Sequence, residues 1–153
     1  MNDNIKHTVN HFIEQMGMTA QADGLPRISG KILGLLIIES GPFSFSEIAE
    51  RLEVSRASVS TNTRLLENLS MIDRVSKTGC RGDFFQLSKN PYEKLLQGVS
   101  QRMEKSVAIV DETINALPRS EEDSQARLVE LETFYSEYLK NTMTLILKLQ
   151  NRS

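Results

Sequence analysis

Apolar residues recur at threes and fours along most of this chain, which is the signature of amphipathic helices. In residues 3–16, Ile5, Val9, Phe12, Ile13 and Met16 mark one helical face. Asp23-Gly24-Leu25-Pro26 then breaks the pattern. Residues 26–40 are apolar almost all round, which predicts a central, buried helix. Gly30 and Gly34 sit four apart there, so small residues share one stripe and another helix can come close. Gly41-Pro42 ends this segment.

Ser44-Phe45-Ser46-Glu47 has the spacing of a capping box and announces a helix start. Ile48, Ala49 and Leu52 give that short helix an apolar face, and it ends by Glu53-Val54. Ser55 caps a longer helix, with Val59, Leu65, Leu66 and Leu69 turned inward. Two helices around so short a turn form a helix-turn-helix unit. Residues 71–77, with Ile72 and Val75, and residues 84–87 then read as two short strands around the polar tip Thr78-Gly79-Cys80-Arg81-Gly82-Asp83. Helix, turn, helix, hairpin is the order of a winged helix-turn-helix.

From Pro91 the helical period returns through Tyr92, Leu95, Leu96, Val99, Met103, Val107, Val110, Ile114 and Leu117. Pro118 interrupts it, and Ser120 and Ser124 are both suitable caps for a last helix. Leu128, Leu131, Tyr135, Tyr138, Thr142, Leu145 and Leu149 then alternate steps of three and four, a heptad seam. The predicted fold is mainly α: a winged helix-turn-helix lobe with a small β-hairpin wing, plus long C-terminal dimerisation helices. Residues 1–24 form an N-terminal helix for dimer or lobe packing. Residues 25–89 form the winged helix-turn-helix domain, and residues 90–153 the helical dimerisation region. A second copy of the chain, related by a two-fold axis, is the expected cover for the seam.

Composition adds limits. The 153 residues are 39% hydrophobic and 25% charged, enough apolar matter for one core. The longest apolar run, residues 32–38, is far short of the roughly 20 residues a membrane helix needs. The single cysteine, Cys80, excludes an internal disulfide and fits a reducing, cytoplasmic setting. Net charge is −2, which hides a gradient. Residues 25–89 hold nine Lys and Arg against seven Asp and Glu, whereas both flanking regions are net acidic.

The basic middle is where chemistry concentrates. Ser55, Arg56, Ala57, Ser58, Ser60, Thr61, Asn62 and Arg64 are small, polar or cationic, and no acid appears before Glu67. Such a face fits a DNA major groove: short side chains allow close approach, Asn pairs with adenine, and Arg with guanine or phosphate. An ordinary solvated face would mix in Glu and Lys. Lys77 and Arg81 flank the hairpin tip, where a wing lays cations along a phosphate or into the minor groove.

The runs Gly24-Leu25-Pro26-Arg27-Ile28-Ser29-Gly30-Lys31-Ile32-Leu33-Gly34-Leu35-Leu36, Ser46-Glu47-Ile48-Ala49-Glu50-Arg51-Leu52 and Val54-Ser55-Arg56-Ala57-Ser58-Val59-Ser60, in that order, resemble the GbsR branch of the MarR-type transcriptional regulators. The resemblance implies a dimeric bacterial winged-helix DNA-binding regulator, with residues 55–69 as reader helix and residues 72–87 as wing. It implies repression by default and, for some members, control by a small-molecule effector such as choline. Glu53 departs from the family's usual turn glycine, and Thr63 stands where leucine is common.

Other candidates are weaker. His7 and His11 are four apart, a metal-binding spacing, but they lack an evident third ligand and read as exposed side chains. Cys80 lies beside Arg81 and near Lys77, a setting that favours thiolate; a small residue at an exposed tip is the plainer reading. Phe134, Tyr135 and Tyr138 offer aromatic faces to a quaternary ammonium, though a dimer seam uses them more economically. No phosphate loop, nucleophile elbow or carboxylate pair appears, so neither an enzyme nor a bound cofactor is expected. A winged-helix and coiled-coil adaptor that binds protein instead of DNA is the alternative. A metal sensor built on His7 and His11 is a third.

Overall fold

The computed structural model describes residues 2–152. The elements run α1 (Asp3–Ala22), α2 (Arg27–Ile38), β1 (Phe43–Ser44), α3 (Phe45–Leu52), α4 (Arg56–Asn68), β2 (Ile72–Val75), β3 (Phe84–Leu87), α5 (Pro91–Ala116) and α6 (Glu122–Gln150). The chain divides into two compact units, one up to Pro91 and one from Tyr92 onward.

In the first unit α1 lies along α2, and its buried positions are Val9, Ile13 and Gly17. It runs six residues beyond the expected end at Met16 because contact there is made by small residues, Gly17 and Ala20, which carry no apolar signal. Ile32 and Leu35 of α2, Ile48 of α3, Val59 of α4 and Phe85 of β3 are fully buried and form the core. Apolar burial at this density is the main stabilising term of a small unit.

The capping box forms as the sequence predicts. Ser44 Oγ accepts from the Glu47 N–H at 3.1 Å, and Glu47 Oε2 accepts from the Ser44 N–H at 2.8 Å. At the other end of α3, Glu53 is left-handed, with φ 56° and ψ 44°. A side chain there costs about 1 kcal/mol more than glycine does. Glu53→Gly is therefore expected to raise stability by up to about 1 kcal/mol, read as a higher urea midpoint.

The wing is more than a hairpin. β1 joins it, giving an antiparallel sheet in the order β1-β3-β2, with Phe43 opposite Phe85 and Arg74 opposite Phe85 on the other side. β1 has two residues, too few to show alternation. Thr63 is fully buried at the position where leucine is common. Its hydroxyl donates to the Val59 carbonyl at 2.8 Å, so burial leaves no donor unpaired.

The second unit is a pair of antiparallel helices. Gln125 Nε2 donates to the Ile114 and Leu117 carbonyls at 3.0 and 2.9 Å, closing the end of α5. Neither expected serine caps α6: its N-cap is Glu121, without a side-chain bond, and Ser124 lies inside the helix. The heptad seam splits by sevens. Leu128, Tyr135, Thr142 and Leu149 are partly or fully covered, whereas Leu131, Tyr138 and Leu145 are exposed.

Glu132 of α6 is near Asp111 of α5. A hydrogen bond that the pair can make only when one carboxyl is protonated, with some desolvation and charge repulsion, raises the Glu132 carboxyl above its ordinary value of 4.5. A raised carboxyl is a folded-state penalty at neutral pH that fades as pH falls through the raised pKa. Glu132→Gln is expected to raise the thermal midpoint at pH 7 and to leave it unchanged near pH 3; equal midpoints at both would show the two carboxyls do not interact.

Candidate nucleic-acid interface

α4 begins at a well-made cap. Ser55 Oγ accepts from the Ser58 N–H at 3.1 Å and donates to Ser58 Oγ at 3.0 Å. No acid lies in the first turn, so the positive end of the helix dipole is not offset by its own side chains. Ser55, Arg56, Ala57, Thr61 and Arg64 are exposed, and Ser58 and Ser60 are half-buried. Thr61 Oγ1 donates back to the Ala57 carbonyl at 3.1 Å.

Asn62 departs from expectation. It is buried, at 6% exposure, and is not on the outward face. The reason is helical phase: Val59, Asn62, Thr63 and Leu66 share the inward stripe. Its Nδ2 donates to the Ser58 carbonyl at 2.7 Å, while Oδ1 is buried without a partner. In this conformation it cannot reach a base edge.

At the wing, Lys77 and Arg81 are exposed, as is Cys80. Gly79 and Gly82 have φ of 80° and 87°, backbone that glycine adopts without strain, and the Cys80 N–H donates to the Lys77 carbonyl at 3.1 Å. The Lys77 ammonium lies 4.6 Å from the Phe84 ring centroid.

Charge pairing separates the cations of this unit into two sets. Arg27 and Lys31 both bind Glu14, at 2.9 and 2.8 Å. Lys31 foremost, then Arg27, holds the Glu14 carboxyl below its ordinary value. Arg51 binds Glu39 at 2.8 Å, and Arg74 binds Glu67 and Asp83 at 2.9 and 2.8 Å. Among the described residues, Arg56, Arg64, Lys77 and Arg81 enter no ion pair. These four lie on the α4 face and the wing. Lys6 on α1 and Lys89 after β3 are likewise outside these ion pairs, whereas Arg27, Lys31 and Arg51 on α2 and α3 are neutralised.

Arg74 carries no sequence signal. As an isolated arginine in a four-residue strand it has no motif, and only the strand register shows that it faces Phe85. The weaker candidates stay apart. The His7 and His11 rings stack 6.5 Å apart, and no group of three or more His, Cys, Asp or Glu able to hold a metal occurs among the described residues. Phe134 is 5.8 Å from Tyr135 and 6.1 Å from Tyr138 between ring centroids, in tilted contacts along α6. No helix among the described residues is long and apolar enough to cross a membrane.

No family model matches the chain. It is 28% identical over 137 residues to the HTH-type transcriptional regulator MmpR5 of Mycobacterium tuberculosis, covering 89% of this chain and 82% of that protein. It is 24% identical over 94 residues to the HTH-type transcriptional repressor OpcR of Bacillus subtilis, covering 61% of this chain and 51% of OpcR. A crystal structure of a transcriptional regulator superposes with a TM-score of 0.83 at 24% identity, over 94% of this chain and 99% of that one. The homologues of this chain are HTH-type transcriptional regulators, and its own fold is that of a winged helix.

Proposed function

We propose that the chain is a cytoplasmic, sequence-specific DNA-binding transcriptional repressor of the GbsR branch of MarR-type regulators, acting as a homodimer. The observation that carries this reading is the distribution of free charge: Arg56, Arg64, Lys77 and Arg81 stand unpaired on the α4 face and the wing, while Arg27, Lys31, Arg51 and Arg74 are neutralised. Ser55, Arg56, Ala57, Ser58, Ser60, Thr61 and Arg64 would line the major groove, with Lys77 and Arg81 on flanking phosphates. Asn62 would join only after its side chain turned outward.

Residues 25–89 would be the DNA-binding domain, residues 1–24 a packing helix and residues 90–153 the dimerisation region. Leu131, Phe134, Tyr138 and Leu145, exposed by 37%, 59%, 43% and 44%, suit burial against a second copy. The function would need neither catalysis nor a cofactor. A small-molecule effector, choline-like by family resemblance, would control it; calorimetry with choline and betaine tests that part, and flat traces with both remove it.

The test of the whole reading is selection of bound duplexes from a random pool at 0.15 M salt. The expected product is a near-palindrome whose half-sites are about one helical turn apart, ~34 Å. A pool without enrichment, at salt where non-specific binding is weak, overturns the reading.

A further inference from the structure

Arg74 stands on β2 directly across the ladder from Phe85. Its Nη2 donates to Glu67 Oε1 at 2.9 Å, in the last turns of α4, and its Nη1 donates to Asp83 Oδ2 at 2.8 Å, at the foot of the wing. The guanidinium carbon lies 5.2 Å from the Phe85 ring centroid and 6.0 Å from that of Phe45, the first residue of α3. Those two rings meet edge to face at 4.9 Å. One side chain therefore touches the C-terminal part of α4, the start of α3, the central strand and the wing. Only arginine has a flat fork that bonds two carboxylates while lying against aromatic rings.

Stability is a poor account of this node. The side chains of Arg74, Glu67 and Asp83 are 42%, 27% and 40% exposed, and ion pairs so open to water contribute little to folding. Position in the chain is more telling. Glu67 is three residues from Arg64 on the same helix, the spacing at which opposite charges pair. Asp83 is two residues from Arg81 on a short loop. Without Arg74, each carboxylate would be free to capture the nearest cation of the candidate interface and to repel phosphate.

We propose that Arg74 is a positioning residue for DNA binding: it ties the wing to the end of α4 and sequesters Glu67 and Asp83, leaving Arg64 and Arg81 unpaired for phosphate. This rests on the DNA-binding reading above. Arg74 itself need touch no DNA.

The test is fluorescence anisotropy on the selected duplex at 0.15 M salt, with urea unfolding of each variant alongside. Arg74→Met is expected to weaken binding about tenfold, on the scale of losing phosphate contacts. Neutralising both carboxylates in the same chain (Arg74→Met, Glu67→Gln, Asp83→Asn) is expected to restore affinity to near wild type. Glu67→Gln with Asp83→Asn, keeping Arg74, is expected to bind at least as tightly as wild type, and it keeps the test open should Arg74→Met fold poorly. In a background lacking Arg64 and Arg81, Arg74→Met is expected to add little. Wild-type affinity in Arg74→Met overturns the proposal. So does a loss that survives neutralisation, which would place Arg74 on DNA itself or in the fold alone. A wild-type protein that enriches no duplex fails the DNA-binding reading first, a result distinct from either of these.

Discussion

Replacing Gly30 with alanine is expected to destabilise the first unit by about 3 kcal/mol, the upper part of the range for overpacking a filled interior. At a water-facing helical position the same change stabilises by about 0.5–1 kcal/mol, because alanine is the better helix former. The sign of the result is therefore informative. A Cβ at Gly30 would run into the carbonyl oxygen of Met16 and come within 2.6 Å of the Ala20 Cβ and 2.9 Å of the Met16 carbonyl carbon. Two of these atoms are backbone and cannot rotate aside, so α1 and α2 must separate. Ile13 and Gly17, buried along this packing, would lose contact together.

Gly98 of α5 supplies the control. The nearest atom to a Cβ there is Arg102 Nη1 at 3.4 Å, the end of a flexible side chain. Gly98→Ala is expected to stabilise by about 0.5–1 kcal/mol. Urea midpoints of the two variants should move in opposite directions. A Gly30→Ala protein as stable as wild type would show that α1 and α2 do not approach so closely in solution.

The Gly30–Gly34 stripe illustrates what the sequence can disclose and what it leaves to tertiary structure. Its spacing announces a close helix crossing but not the partner. The partner is α1, whose contacting surface includes Gly17 and Ala20, which hydrophobic periodicity does not register. Most local signals read well, the serine cap expected for α6 being the exception. The capping box at Ser44 and Glu47, the cap at Ser55 and the turn at Glu53 each depend on a few adjacent residues, and each forms as expected. Signals that depend on three-dimensional pairing read poorly. β1 is two residues long and exists through its pairing with β3. The chemistry of Asn62 suggests an outward residue, whereas helical phase puts it on the buried stripe with Val59 and Leu66. On α6, the steps of three and four predicted a continuous seam, but they could not show that its two rows differ in cover.

The same distinction bears on the outer face of α4, where sequence gives the residue types and structure gives their freedom. Changing Arg56 and Arg64 together to alanine is expected to weaken binding to the selected duplex about 100-fold at 0.15 M salt. Each lost phosphate contact should also flatten the fall of log affinity with log salt by about 0.9. Arg56 opens α4 and Arg64 lies eight residues on, a separation of ~12 Å along the axis at 1.5 Å per residue. That is close to the width of the major groove, about 12 Å, so the two guanidinium groups suit the sugar-phosphate walls on opposite sides. A single variant that instead relaxes preference at one base pair would assign that arginine to a guanine edge. Both side chains are exposed and outside any ion pair among the described residues, so the urea midpoint is expected to stay within about 0.5 kcal/mol of wild type. Loss of affinity at unchanged stability would place the interface on α4. If the double variant holds the duplex as tightly as wild type, and with the same salt slope, that face does not meet DNA, and the cations must serve another partner.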